Sequence, residues 1–481
     1  MRLGNAKQKL RVLFCIALGF HYLCSGKTSI QKNKKTIYMT SLTTAIVIVF
    51  VLGYLCIALE SVTKINKAAI ALLMCVFCWT LLMLAPGNYY PDVASSEVVH
   101  KVAEVIEHHL GDAAGTLFFL MGAMTIVEIV DSNGGFNFVR DAIKTRSKRK
   151  LMWRMAFMTF FLSAILDNLT TSIVMIMVLR KLVQERNDRL IYAAMVVIAA
   201  NSGGAFSPIG DVTTIMLWIK GVITTQGVIS EIFIPSLISM LVPAFILQYS
   251  LKGKFDKSQN LPPADVSQFT QKQRNIIFWL GVGGLIFVPI FKTLTHLPPF
   301  MGILLVLGLL WTTTEIFHHN TDEDDTMAKR VSDLLSRIDL ATIMFFLGIL
   351  MAVAVLQEVG VLTALGQSLD EMSGGNHYLV TGVIGVLSSI VDNVPLVAGC
   401  MGMYPVAEVG DMAVDGIFWQ LLAYCAGVGG SMLIIGSAAG VVVMGLEKIT
   451  FGWYMKRITW IVFVGYLAGM FSYWLIRTFL F

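Results

Sequence analysis

Charge is scarce in this chain of 481 residues: 14% are Asp, Glu, Lys or Arg, against roughly 25% in an ordinary soluble domain. Hydrophobic residues make up 56%, and the mean hydropathy is +0.73. Two or three soluble globules of this total length need polar side chains to cover them, and these charges are too few and too bunched. Soluble enzymes and nucleic-acid binders are thereby excluded, and the chain reads as an all-α polytopic membrane protein. Acid is absent altogether before Glu60, although Arg2, Lys7, Lys9, Arg11, Lys27, Lys32, Lys34 and Lys35 precede it. Without those eight, 28 basic residues face 31 acidic ones, so the net charge of +5 belongs to the N-terminus and the body is slightly acidic. Informative cysteine is lacking too. Cys75 and Cys78 form a CxxC inside the apolar run AAIALLMCVFCWTLLMLA, with no partner pair and no polar shell, so they read as small buried hydrophobes. Neither a metal-ligand cluster nor a nucleophile with its base appears, which argues against an enzyme and against a bound cofactor.

What is present is a series of apolar runs about 20 residues long, enough to cross the hydrocarbon layer. They start near residues 41, 68, 113, 229, 276, 299, 340 and 458. Two more, near 190 to 221 and 416 to 447, carry a glycine-rich interruption and read as broken helices. A basic stretch followed by VLFCIALGFHYLCSG makes residues 1–38 either an extra helix or a signal peptide.

Two apolar stretches share a dipeptide: FFLSAILDNLTTSIVMIMVL (160–179) and GVLSSIVDNVPLVAGCMGMY (385–404). An ionisable group at mid-run is expensive on a lipid-facing helix. The first is flanked by Arg140, Lys144, Arg146, Lys148, Arg149, Lys150 and Arg154 on one side and by Arg180, Lys181, Arg186 and Arg189 on the other. Lys and Arg concentrate in short cytoplasmic loops, so both of its ends are cytoplasmic. The second is flanked by Asp370, Glu371, His377, Glu408, Asp411 and Asp415, without Lys or Arg, so both of its ends are external. The expectation is two re-entrant hairpins, one from each face, each with Asp-Asn at its tip. Counting crossings from Arg189 through the basic loop Lys252, Lys254, Lys257, Lys272 and Arg274 to Lys448, Lys456 and Arg457 closes. The same count puts Lys64 and Lys67 inside and the group Lys27 to Lys35 outside.

The order of parts repeats. FFLMG (118–122) answers FFLG (345–348), SAILDN (163–168) answers SSIVDN (388–393), and NSGGAFSPIG (201–210) answers GVGGSMLIIG (427–436), at offsets of 227, 225 and 226 residues. Each unit has five crossings, an odd number, so the second copy is inverted. Inverted repeats with interrupted helices are the build of secondary transporters. The expected organisation is a first repeat at 39–250, a cytoplasmic linker at 251–275 and a second, inverted repeat at 276–481.

Hairpin tips and helix breaks expose backbone groups that lipid cannot satisfy, so they line a hydrated cavity or lie buried in protein. The residues there are oxygen-rich: Asp167, Asn168, Thr170 and Thr171 at the first tip, and Asn201, Ser202, Ser207 and Asp211 in the first break. Asp392 and Asn393 stand at the second tip, Ser431 and Ser437 in the second break. Glycines 203, 204, 210, 429, 430 and 436 let backbones approach closely. Three carboxylates, Asp167, Asp211 and Asp392, are expected to converge without Lys, Arg or His at their depth, as ligands for Na+ or Li+. Crowded, desolvated carboxylates hold a proton more readily, so competition of H+ with Na+ or Li+ for the same acids is a minimal exchange mechanism. Capping of a half-helix is the structural alternative for each Asp. Glu128 reads either as a proton relay or as a side chain reaching for the interface. His100, His108 and His109, with Glu97, Glu104 and Glu107, read as a solvated external face, and HHNTDEDD (318–325) as a solvated loop.

The Asp-Asn pair of hairpins, NSGGAFSPIGDVTTIMLW (201–218) and VEIVDSNGGF (127–136) together resemble the NhaD-type sodium/proton antiporters of the ion transporter superfamily. The resemblance covers about residues 41 to 478 and is most specific at 201–218. It implies a dimer-forming scaffold domain and a mobile transport domain that carries both hairpins and moves like an elevator. It places the ion site at Asp167-Asn168, Asp392-Asn393 and the break from Ser207 to Thr214, in a multi-pass protein of a bacterial plasma membrane. Relatives that carry dicarboxylates have Ser-Asn-Thr at these tips. The rival reading is an anion carrier of the same superfamily for arsenite or a di- or tricarboxylate, which needs a neutral or positive centre. A channel is a weaker rival, because an inverted repeat favours alternating access.

Overall fold

The structure, a computed structural model, describes residues 41–58, 60–136, 143, 145–255, 269–319 and 331–479. The segment 1–38, the centre of the 251–275 linker and most of the acidic run 318–325 lie outside the described residues. Among the described residues the regular elements are helices. They run α1 (Ser41–Ala58), α2 (Lys67–Met83), α3 (Val98–Ser132), α4 (Lys148–Leu166), α5 (Asn168–Leu182) and α6 (Arg186–Ala205). Next come α7 (Val212–Lys220), α8 (Thr225–Leu247), α9 (Gln271–Thr295), α10 (Pro299–His319), α11 (Leu340–Glu358) and α12 (Val361–Ser373). The last are α13 (His377–Ser388), α14 (Asn393–Met403), α15 (Ile417–Gly429), α16 (Ala438–Glu447), α17 (Phe451–Arg457) and α18 (Thr459–Phe479). Four-residue and five-residue turns of helix complete the set.

Six of these, α3, α8, α9, α10, α11 and α18, are long and apolar enough to cross a membrane. Their outward side chains include Trp279, Leu294, Trp460 and Phe471, all more than half exposed, a surface that hydrocarbon covers at no penalty and water does not. The chain is an integral, multi-pass membrane protein.

Local chemistry sets the helix starts. Asn66 caps α2 by accepting the Ala68 amide, and Thr270 and Gln273 form a reciprocal capping box at the head of α9. The broken helices expected from the sequence are present: α6 stops at Ala205 and α7 starts at Val212, while α15 stops at Gly429 and α16 starts at Ala438.

The chain divides into two compact units. One comprises the described residues up to Ala114, with Leu340–Ser368 and Gly402–Tyr404. In it α2 packs on α11 and α1, with Trp79 Nε1 donating to the Met351 carbonyl at 3.0 Å and the Lys67 ammonium 4.2 Å over the Phe345 ring. The other comprises Gly115–Asp339, Leu369–Met401 and Pro405–Phe481. In it α4 packs on α6, α13 on α15, and α8 along α18.

The solvated external face expected around His109 is corrected. Residues 98–132 form one helix, α3, of about 52 Å at 1.5 Å per residue. On it His109 Nε2 lies 2.9 Å from Glu358 Oε1, with only 13% of its side chain exposed, and Tyr90 donates to the other Glu358 oxygen at 2.7 Å. The partner stands 249 residues away, so the local pattern of charge did not reveal it.

Candidate functional site

Asp167 interrupts the chain between α4 and α5 at φ 81°, ψ 159°, a conformation that costs a residue other than glycine about 1–3 kcal/mol. Its carboxylate caps α5: Oδ1 accepts the Thr170 amide at 2.8 Å and Oδ2 the Thr170 hydroxyl at 2.9 Å. One residue on, Asn168 is buried and points elsewhere. Its Nδ2 donates to Asp211 Oδ2 at 2.7 Å and to Asn201 Oδ1 at 3.0 Å. The Asp-Asn pair therefore divides its work, the acid holding the turn and the amide reaching across to the first break.

Asp211 is 1% exposed and caps α7, accepting the Thr213 amide at 3.0 Å and the Thr213 hydroxyl at 2.9 Å on Oδ1. Asn393, at the head of α14, donates to both Asp211 oxygens at 3.4 and 3.5 Å. Every donor to this carboxylate is neutral. No Lys, Arg or His pairs with Asp211 or Asp167 among the described residues. Asn201 ties the first break to the second, its Nδ2 donating to Ser431 and Ser437 at 2.9 Å each. Ser437 in turn caps α16 by accepting the Gly440 amide at 3.2 Å.

Asn168, Asn201, Asp211, Asn393, Ser431 and Ser437 thus form one connected network. The other expected site residues face different partners. Ser202 meets the Ser239 hydroxyl at 3.0 Å, and Ser207 donates to the Ala164 carbonyl at 2.5 Å. Asp392 accepts the Val394 amide at 3.3 Å. The buried hydroxyls of Thr171 and Thr214 have no hydrogen-bond partner among the described residues. Glu128 accepts from Ser132 at 3.1 Å and lies 3.5 Å from Arg337. Asp167, Asp211 and Asp392 each accept an amide of the helix that follows them. Among the described residues no three His, Cys, Asp or Glu side chains stand close enough to share a metal ion. Asp167 and Asp392 are drawn to the amides of their own helices, as short acidic side chains at helix starts are, although both act on Asp211 electrostatically.

Close backbone approach holds the network. A Cβ on Gly203 would strike the Phe160 carbonyl, and one on Gly429 the Gly385 carbonyl, so α6 presses on α4 and α15 on α13 at corresponding glycines. Ser163 Oγ donates to the Ala200 carbonyl at 2.6 Å and Ser388 Oγ to the Ala426 carbonyl at 2.7 Å, a second matched pair.

Two features escaped the sequence reading. Glu447, with its side chain fully buried, accepts from Arg180 at 2.7 Å and from Arg189 at 2.6 Å. Glu231 is held by Tyr473 at 3.1 Å and Arg477 at 2.5 Å. Both glutamates find their partners more than 200 residues away.

A family model described as "Citrate transporter" matches residues 54–421. The chain is 45% identical over 432 residues to "Sodium/proton antiporter 1" of Arabidopsis thaliana, covering 89% of this chain and 72% of that relative. It is 41% identical to "Sodium/proton antiporter 2" of the same plant, over 90% of this chain and 99% of the relative. The chain belongs to the NhaD-type sodium/proton antiporter family. A bacterial member, "Na(+)/H(+) antiporter NhaD" of Alkalimonas amylolytica, is 30% identical over 88% of each chain. This family is one of transporters and not of enzymes, and Asn168, Asn201, Asp211 and Asn393 of the network fall within residues 54–421.

Proposed function

We propose that the chain exchanges Na+ or Li+ for H+ across its membrane by alternating access, with the network around Asp211 as the site. The observation that carries this reading is the buried Asp211 carboxylate with only neutral donors around it. A deprotonated acid so placed attracts a small cation, and a protonated one releases it, so each ion displaces the other. A carboxylate, amide carbonyls and the unpartnered hydroxyls of Thr171 and Thr214 are hard oxygen ligands suited to such a cation. With one acid at the centre, most of the ligands are uncharged oxygens, and Asp167 and Asp392 bias the local field. An arsenite or citrate anion would meet this carboxylate with no Lys or Arg to offset it, which disfavours the rival reading.

The finer architecture is part of the proposal: repeats at 39–250 and 276–481 joined by the linker at 251–275, inverted relative to each other, with re-entrant hairpins at α4–α5 and α13–α14. The matched serine bonds and the matched glycine contacts support it. So does the shared Asp-Asn at the two junctions. A homodimer is proposed on the family resemblance alone. The proposed setting is an energy-coupling membrane, the bacterial plasma membrane or a plant equivalent, since relatives of both origins share the chain.

The test is dequenching of a pH-sensitive dye in inverted vesicles. Na+ or Li+ added to wild-type vesicles is expected to move protons, and Asp167→Asn or Asp392→Asn to weaken the response by less than Asp211→Asn does while the protein still inserts. A response to citrate or arsenite with none to Na+ or Li+ overturns the reading. For the topology, cysteines placed near 150 and 185 are both expected to be inaccessible to an impermeant reagent from outside, and labelling of only one refutes the first re-entrant hairpin.

A further inference from the structure

Lys292, half-buried in the last turn of the membrane-spanning helix α9, meets one residue in two ways. Its Nζ donates to the Trp218 carbonyl at 2.8 Å and lies 4.3 Å from the centre of the Trp218 ring. Trp218 is 1% exposed and sits in the last turn of α7, the nine-residue half-helix that Asp211 caps at its other end. The Phe119 ring of α3 meets the same indole edge to face at 6.4 Å. A cation at a helix C-terminus is favoured by the helix dipole, and over an indole by its π face.

Among the described residues α7 packs along α6 and α15. The α3 helix, α9 and α10 instead fit one another through glycines: Gly281 of α9 faces Val130 and Ile126, and Gly284 faces Val306 of α10. A lysine at the end of a span can reach out to the interface, and here it instead fastens the end of the half-helix to α9.

We propose that Lys292 is a positioning residue of the transport cycle, a latch that docks the far end of the Asp211-bearing half-helix on α9 and opens once per cycle. The proposal rests on the exchange reading and on Asp211 as its centre. Exchange visits the latched conformation in every cycle. Losing the latch lowers the population of that conformation without touching the ion ligands, so turnover falls and cation affinity is kept.

The experiment measures Na+-driven proton exchange in proteoliposomes of wild type, Lys292→Met and Lys292→Arg. Lys292→Met, which removes a charge from a membrane helix and so inserts readily, is expected to lower the maximal rate by roughly fivefold or more, the scale of one desolvated cation–π and carbonyl contact. Half-saturating Na+ is expected to change by less than about twofold, and Lys292→Arg to keep most of the rate. An unchanged maximal rate in Lys292→Met, or a change in half-saturating Na+ that matches the loss of rate, overturns the latch. Wild-type vesicles that fail to respond to Na+ or Li+ overturn the exchange reading itself. As a second readout, Lys292→Cys is labelled by an impermeant thiol reagent with and without Na+. A labelling rate that depends on Na+ supports a latch that opens, and equal rates overturn it.

Discussion

The two helix breaks are built alike and differ in one charge. In each, a side chain caps the following half-helix from extended backbone: Asp211 at φ −143°, ψ 141°, and Ser437 at φ −140°, ψ 154°. Each lies beside an amide of the same network, and each follows a glycine set against a neighbouring carbonyl. Yet Asp211 collects two asparagine side chains, whereas Ser437 accepts from one. The same backbone device thus serves two ends: at the first break the cap carries a charge, and at the second it is a neutral acceptor. The start of α7, which Asp211 caps, puts a positive dipole end at that negative charge, which helps to hold the charge in a water-poor place without a lysine or arginine among the described residues.

The largest effect is expected from erasing the difference. Asp211→Asn keeps the cap, since Asn and Asp are comparable N-caps, and removes the charge. A unit charge about 4 Å away is worth about 4 kcal/mol at an effective dielectric of 20. Exchange is therefore expected to fall by at least about a hundredfold, while the thermal melting of the purified protein changes little. Melting that collapses with activity would make Asp211 a structural cap like Ser437, and the contrast between the breaks would disappear.

A smaller effect tests the likeness of the two breaks. Gly203→Ala and Gly429→Ala each drive a methyl into a carbonyl of the neighbouring helix, of Phe160 and Gly385 respectively, and overpacking of this kind costs about 1–3 kcal/mol. The two losses, read from melting in detergent, are expected to agree within about 1 kcal/mol. A large loss at one glycine and none at the other would show that the matched contacts do not carry matched loads.

How much of this was legible in the sequence follows from the range of each interaction. Capping is local: Asp167 with Thr170, Asp211 with Thr213 and Asn393 at a helix start all follow from side chains within three residues of a break, and the Asp-Asn dipeptides and glycine runs marked those places. Broken helices were legible because glycine-rich interruptions in apolar runs have few other uses. The pairing of side chains across the fold was not legible. Nothing near Asn201 shows that its amide meets Ser431 and Ser437, 230 and 236 residues on, or that Glu447 lies between Arg180 and Arg189. The directions of the acid side chains were not legible for the same reason. The sequence gives the depth of Asp167 and Asp392 but not the direction of their side chains, and nearby amides decided that direction.

The smallest effect concerns the uncharged break. Ser437→Ala deletes the acceptor of the Gly440 amide and one acceptor of Asn201, and loss of such a cap costs about 1 kcal/mol. Asn201 keeps Ser431 and Asn168, so the network stays connected and Asp211 keeps all its donors. Exchange at saturating Na+ is therefore expected to stay within about threefold of wild type while melting drops slightly. Ser437→Ala losing activity as completely as Asp211→Asn would mean that the second break holds the ion as firmly as the first. In that case the single carboxylate would be only one of two equal centres, and the asymmetry between the breaks would not be what selects a cation.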